Sequence, residues 1–232
     1  MSFADLDAER LHHFKSLGFS PSCIFDVGAS NGDWSWRAKD IFPEASFHLF
    51  EPLAGAHAPY RQTLEALLAT EWSAEVHPIA LGASSGTTTF GVDRNAVGSS
   101  ILVHRTSEIF PEIASVPMAT IDDLIASGRA PCPQLIKIDT QGAELEVLKG
   151  AVSTLGQVDL LLLETWLVRG YGPETPLFAE VANWLAGHEF YMVEIGDCYR
   201  DQTGILTAQD FFFVNDRTTV ESLRANRAYA VR

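Results

Sequence analysis

The chain has 232 residues, 47% of them apolar and including 14 Phe and 5 Trp, enough for one full α/β domain and too few for two. That apolar content excludes a disordered chain, and no apolar run approaches the roughly 20 residues needed to cross a bilayer. A formal net charge of -14, with no Lys/Arg run to build a local basic patch, argues against nucleic acid and against an anionic membrane surface as partners.

In residues 1–20, Phe3, Leu6, Leu11, Phe14 and Leu17 recur at near-helical spacing and Gly18 is a stop, predicting a helical segment ahead of a domain over 21–232. This start (MSFADLDAER) is acidic and lacks the charged stretch and apolar core of a secretion signal. Cys23, Cys132 and Cys198 are far apart and show no C-x-x-C spacing, so they read as reduced, buried small hydrophobes of a cytoplasmic protein.

The domain begins with a buried strand at 23–28 ending in a glycine turn. A helix follows at 33–41, then a strand at 46–51 (SFHLFE), a helix at 55–71 and a strand at 75–81. Next the pattern changes. Gly86-Thr-Thr-Thr-Phe-Gly-Val reads as an extra β segment, residues 93–112 are irregular and 116–120 are extended, which marks an insertion at about 84–118. After a short helix at 121–127, alternation returns with a strand at 134–139, a helix at 143–155, a strand at 158–164 and a helix at 176–187. Strands at 189–195 and 210–215 are joined without a clear helix, predicting an antiparallel pair at one sheet edge. Successive βα units demand right-handed crossovers, hence a mostly parallel seven-stranded sheet with helices on both faces and an antiparallel last strand.

In such sheets ligands sit beyond the carboxyl ends of the strands. Glu51, Asp139 and Glu164 each end a predicted strand, and Asp26 is close to the end of another. In Asp26-Val-Gly-Ala-Ser-Asn-Gly-Asp, Gly28 and Gly32 permit a sharp turn and close backbone approach. Glu51 follows roughly 20 residues later, where a carboxylate can accept two ribose hydroxyls. A dinucleotide turn needs G-x-G-x-x-G, yet Ser30 and Asp33 occupy its second and third glycine positions, and Asp33 sets a negative charge where pyrophosphate would sit. The pocket suits a cationic ligand better.

The second constellation is LIKIDTQGAELEVLKGA. Lys137 and Asp139 alternate with Ile136 and Ile138 on a strand that is otherwise buried, so Lys137 is expected to pair with a neighbouring acid. Gly142 permits close approach to a ligand, and Glu144 either complements the dipole of the next helix or orients a substrate.

DVGASNGDWS, FEPL, TIDDL, LIKIDTQGAELEVLKGA and LLLETW, in this order, resemble the FkbM family of S-adenosylmethionine-dependent methyltransferases over about 25–166. KIDTQGAELEVLKGA is the most specific block. The resemblance implies a Rossmann-like class I methyltransferase fold, S-adenosylmethionine as cofactor and O-methylation of a hydroxyl on a small acceptor such as a sugar or secondary metabolite. It places Asp26, Gly28, Ala29, Ser30, Asn31 and Gly32 around the methionine part, and Glu51 with the adjoining Pro52 at the ribose. It further implies Ala80 and Leu81 beside the adenine, Ser100 with Ser99 in a loop near the cofactor, and Asp139 close to the transferred methyl.

A hydroxyl acceptor needs its proton removed. Asp139 and Glu164 are the strand-end candidates, with His104 from the insertion; His48, in the second strand, reads as a core or face histidine. Nothing in the spacing of Asp139, Glu164 and His104 requires a metal, and none is expected. Homo-oligomer formation is left open. The competing readings are a non-catalytic cofactor-binding protein of the same fold and a nicotinamide-dependent oxidoreductase. Ser30, Asp33 and the lack of a Tyr-x-x-x-Lys pair oppose the latter.

Overall fold

The computed structural model describes residues 5–225 apart from 56, 71, 95, 97 and 103–109. A seven-stranded sheet is built from β1 (Cys23–Val27), β2 (Ser46–Phe50), β3 (Ala74–His77), β7 (Leu135–Ile138), β8 (Leu160–Trp166), β9 (Phe190–Arg200) and β10 (Leu206–Asn215). Their order is β3-β2-β1-β7-β8-β10-β9. The pairs among β3, β2, β1, β7 and β8 are parallel, whereas β10 is antiparallel to both neighbours, so the predicted edge pair is present with the last strand on the inside.

Alternating strand residues feed two cores. One face places Phe25, Ile136, Ile138, Leu161 and Leu163 against α5 (Glu144–Lys149) and α6 (Phe178–Ala186). The other places Ile24, Leu135, Leu160 and Leu162 against α1 (Leu6–Ser16) and α2 (Asp33–Ile41). Leu11 and Phe14 of α1 are buried in this second core, each worth about 1.5–3 kcal/mol of burial. The N-terminal helix thus covers the sheet instead of standing apart from it.

Two expectations need correction. The strand predicted at 75–81 breaks at Pro78, which has no N–H for a ladder. Its second part becomes β4 (Ala80–Leu81), which leaves for a three-stranded sheet β4-β6-β5 with β5 (Gly86–Val92) and β6 (Glu112–Ala119). The helix predicted at 143–155 stops at Lys149. At Gly150 a side chain would lie 2.0 Å from the Gly82 carbonyl oxygen, so the chain passes there as bare backbone. The remaining helices are α3 (Ala58–Leu68), α4 (Ile121–Ala126) and α7 (Glu221–Ala225).

His48 is buried and satisfied, its Nδ1 3.0 Å from His77 Nε2 with the rings stacked. The three thiols are free and only Cys23 is buried; Cys198, on edge strand β9, is exposed, contrary to expectation. Among the described residues no helix is long and apolar enough to cross a membrane.

Candidate active site

The parallel strands deliver Gly28, Glu51 and Asp139 to one edge of the sheet, where a cleft of about 640 Å³ opens, its mouth included. Gly28 (φ 77), Ser30, Glu51, Pro52, Ala80, Leu81 and Asp139 all line it. Tyr60 from α3 and Phe90 from β5 close its sides, so the insertion forms a wall of the cleft.

Glu51 follows β2 and is 6% exposed. Its Oε2 accepts the Ser30 N–H at 2.9 Å and its Oε1 accepts the Leu53 N–H at 2.8 Å. Burial pushes its carboxyl up to about 7, against those two N–H donors and Lys137, which favour the ionised form. Each oxygen keeps a lone pair for a ligand hydroxyl.

Behind the cleft runs a charged spine. Lys137 Nζ lies 3.2 Å from Asp26 Oδ1 and 3.3 Å from Asp139 Oδ2, and it donates to the Gly28 carbonyl oxygen at 3.2 Å. Burial works against the ammonium charge, but Asp26 and Asp139 outweigh it and hold Lys137 protonated. Asp26 is fully buried and also accepts a hydrogen bond from Ser35 Oγ at 2.6 Å.

The turn after β7 is organised by Glu144, which is 1% exposed. Its Oε1 accepts hydrogen bonds from the Thr140 and Gly142 N–H groups at 3.0 and 2.9 Å, and from Thr140 Oγ1 at 3.2 Å. Of the two roles open to it in the sequence, the contacts favour a structural one, that of tying this turn. Burial pushes its carboxyl up to about 7. Gln141 Nε2 donates to Asp139 Oδ1 at 2.8 Å and to Glu164 Oε2 at 3.0 Å. Burial, then Asp139, Glu144 and Asp210, hold the Glu164 carboxyl well above its usual range.

On the far side of Asp139 lies a second, polar cavity of about 380 Å³, its mouth included. Asp7 of α1, Trp34 of α2, Glu164, Asp197, Tyr199 and Asp210 face it. Burial pushes Asp7 up to about 7, and burial together with Asp7 raises Asp210 well above its usual range. Asp139 borders both spaces.

Residues 26–192 match the family model for the methyltransferase FkbM domain. The chain belongs to the FkbM methyltransferase family. S-adenosylmethionine is the cofactor that goes with this assignment. A hexuronic acid methyltransferase, AglP of Haloferax volcanii, is 38% identical over 68 residues, 28% of each protein. Among solved structures, FkbM methyltransferase from Methylobacillus flagellatus KT aligns with a TM-score of 0.52 at 19% identity, covering 82% of this chain and 43% of that one. Magnesium protoporphyrin IX methyltransferase of Synechocystis PCC 6803, solved with its bound S-adenosylmethionine, aligns with a TM-score of 0.53 at 10% identity, covering 90% and 76%. At these identities the two structures bear on the fold, a class I methyltransferase fold. The chain covers 28% of the first of these relatives and 43% of the second, less than half of either.

The residues of this FkbM-family cleft fit the cofactor. A carboxylate stands at the end of β2, and the helix α2 N-terminus is already occupied by Asn31, whose Oδ1 accepts the Asp33 N–H at 3.2 Å, so no phosphate cradle competes. Not every residue named from the sequence reaches the cleft. Asp26 is spent on Lys137 and Ser35, and Asn31 on the first turn of α2. Ala29 points into the second core, and a Cβ at Gly32 would meet Leu67 at 2.6 Å. Ser100 Oγ donates to the Gln141 carbonyl oxygen at 2.9 Å, leaving its neighbour Ser99 at the lining. Glu164 faces the second cavity, and His104 lies outside the described residues. Sequence reasoning missed Gln141 and Tyr60, which have no charge to single them out.

Proposed function

We propose that the chain transfers a methyl group from S-adenosylmethionine to a hydroxyl of a small acceptor such as a sugar or secondary metabolite. The observation that carries this reading is the meeting of two cavities at Asp139. Glu51 would take the ribose hydroxyls, Ala80 and Leu81 would border the adenine, and the bare backbone at Gly28 would admit the methionine part. When bound, S-adenosylmethionine supplies an activated methyl on a positively charged sulfur.

The second cavity suits the acceptor. Carboxyl groups of Asp7, Glu164 and Asp210, each raised by burial, accept or donate hydrogen bonds to alcohol groups, and the Trp34 ring adds an apolar surface. Asp139 borders both cavities with the Lys137 ammonium 3.3 Å away, which makes it the group placed to take the acceptor's hydroxyl proton, while Glu164 orients the acceptor. Holding oxygen and methyl in line, away from water, supplies most of the remaining rate.

Calorimetric titration with S-adenosylmethionine, its demethylated product and NAD tests the reading. Binding of both sulfur compounds without NAD supports it; NAD binding alone refutes it.

A further inference from the structure

The strands bring Asp139 and Glu164 to the same edge, but a third residue joins them. Gln141 has φ 57, the left-handed region that costs a residue with a side chain about 1 kcal/mol or more. From there its Nε2 reaches Asp139 Oδ1 at 2.8 Å and Glu164 Oε2 at 3.0 Å. Its Oε1 accepts the Tyr171 hydroxyl at 2.7 Å. Reversing the amide would set its oxygen against two carboxyl groups, so the network admits one orientation. Tyr171 is itself braced: its N–H donates to Thr175 Oγ1 at 3.0 Å, and its ring stands edge-on to Trp166 at 5.1 Å.

We propose that Gln141 is a positioning residue which, locked by Tyr171, clamps Asp139 and Glu164 into a pair that shares one proton at the methyl-transfer edge. Its purpose rests on the methyltransferase reading; its geometry does not. Two neighbouring carboxyl groups in a buried site resist double ionisation. An amide that donates to both lowers the cost of the first negative charge, and Lys137 from β7 directs that charge to Asp139. Burial together with Glu144 from α5 and Asp210 from β10 keeps the second proton on Glu164. The result is an ionised base beside a neutral acid that can donate a hydrogen bond to the acceptor.

The test is carbon-13 NMR titration of the side-chain carboxyl carbons in the full chain, with Asp139 and Glu164 assigned through Asp139→Asn and Glu164→Gln. Wild-type protein is expected to show two widely separated steps. Gln141→Asn tolerates the left-handed backbone but is too short to span both acids, so the lower step should rise by about one pH unit. Gln141→Glu has nearly the same shape and adds a carboxylate; it should raise both steps, and it serves if the Asn variant does not fold. Unchanged titration in either folded variant, with only thermal stability altered, would overturn the clamp. Calorimetry with S-adenosylmethionine on wild-type protein separates the two ideas: no binding removes the methyltransferase reading, whereas the titration judges the clamp by itself.

Discussion

Gly28 and Asp139 come so close that a Cβ on Gly28 would lie 1.9 Å from the Asp139 carbonyl oxygen. Adjacent strands β1 and β7 end there, beside the cleft that both residues line. Gly28 also has φ 77. Gly28→Ala is therefore expected to cost at least about 2 kcal/mol in urea unfolding and to abolish measurable cofactor binding. A variant as stable as wild type with intact binding would show that the strand ends can separate freely.

Glu51→Ala should weaken S-adenosylmethionine binding by about 10- to 100-fold, the worth of hydrogen bonds to a charged group. With the Glu51 carboxyl at about 7, its ionised form grows between pH 6 and pH 8, so wild-type affinity should strengthen over that range. Calorimetry at both pH values checks this. Loss of the pH dependence in the Ala variant identifies Glu51 as its source.

Phe14 of α1 is buried and its ring lies 5.3 Å from that of Phe212 in β10. Phe14→Ala should cost about 3–5 kcal/mol. Because Phe14 does not line the cofactor cleft, affinity for S-adenosylmethionine should stay within about threefold wherever the variant remains folded.

Glu144 makes stability depend on pH. Its carboxyl is raised to about 7 in the fold and falls to its ordinary value of 4.5 on unfolding. Below 4.5 both states are protonated; between 4.5 and 7 the unfolded state ionises first, so this group's contribution falls as pH rises. Glu144→Gln keeps an acceptor oxygen for the turn without the charge. It should gain stability relative to wild type at pH 8 compared with pH 5, as read from thermal melts. A difference that is constant with pH would refute the ionisation account.

Much of the βα order was legible because strands buried on both faces are continuous apolar runs and because α2 begins at an acid after a glycine turn. The helix over 33–41 matches α2 closely for that reason. The break at Pro78 was less visible, since apolar residues continue on either side while the hydrogen-bond partner changes from β2 to β6. Turn residues 29, 31 and 32 were assigned to the cofactor as a block, yet Ala29 points into the core, Asn31 turns to the start of α2 and Gly32 packs its bare backbone against Leu67, directions that spacing does not encode.

The sequence alone determined the layered α/β architecture, the family and the strand-end acids Glu51 and Asp139, because each follows from local periodicity or a contiguous motif. Tertiary structure decided which acids meet. Asp7, Asp210 and Glu164 come from α1, β10 and β8, and only the closing of the sheet under α1 brings them into one cavity. Gln141 gained its position in the same way. A neutral side chain carries no signature of its own, and its two carboxyl partners include one from another strand.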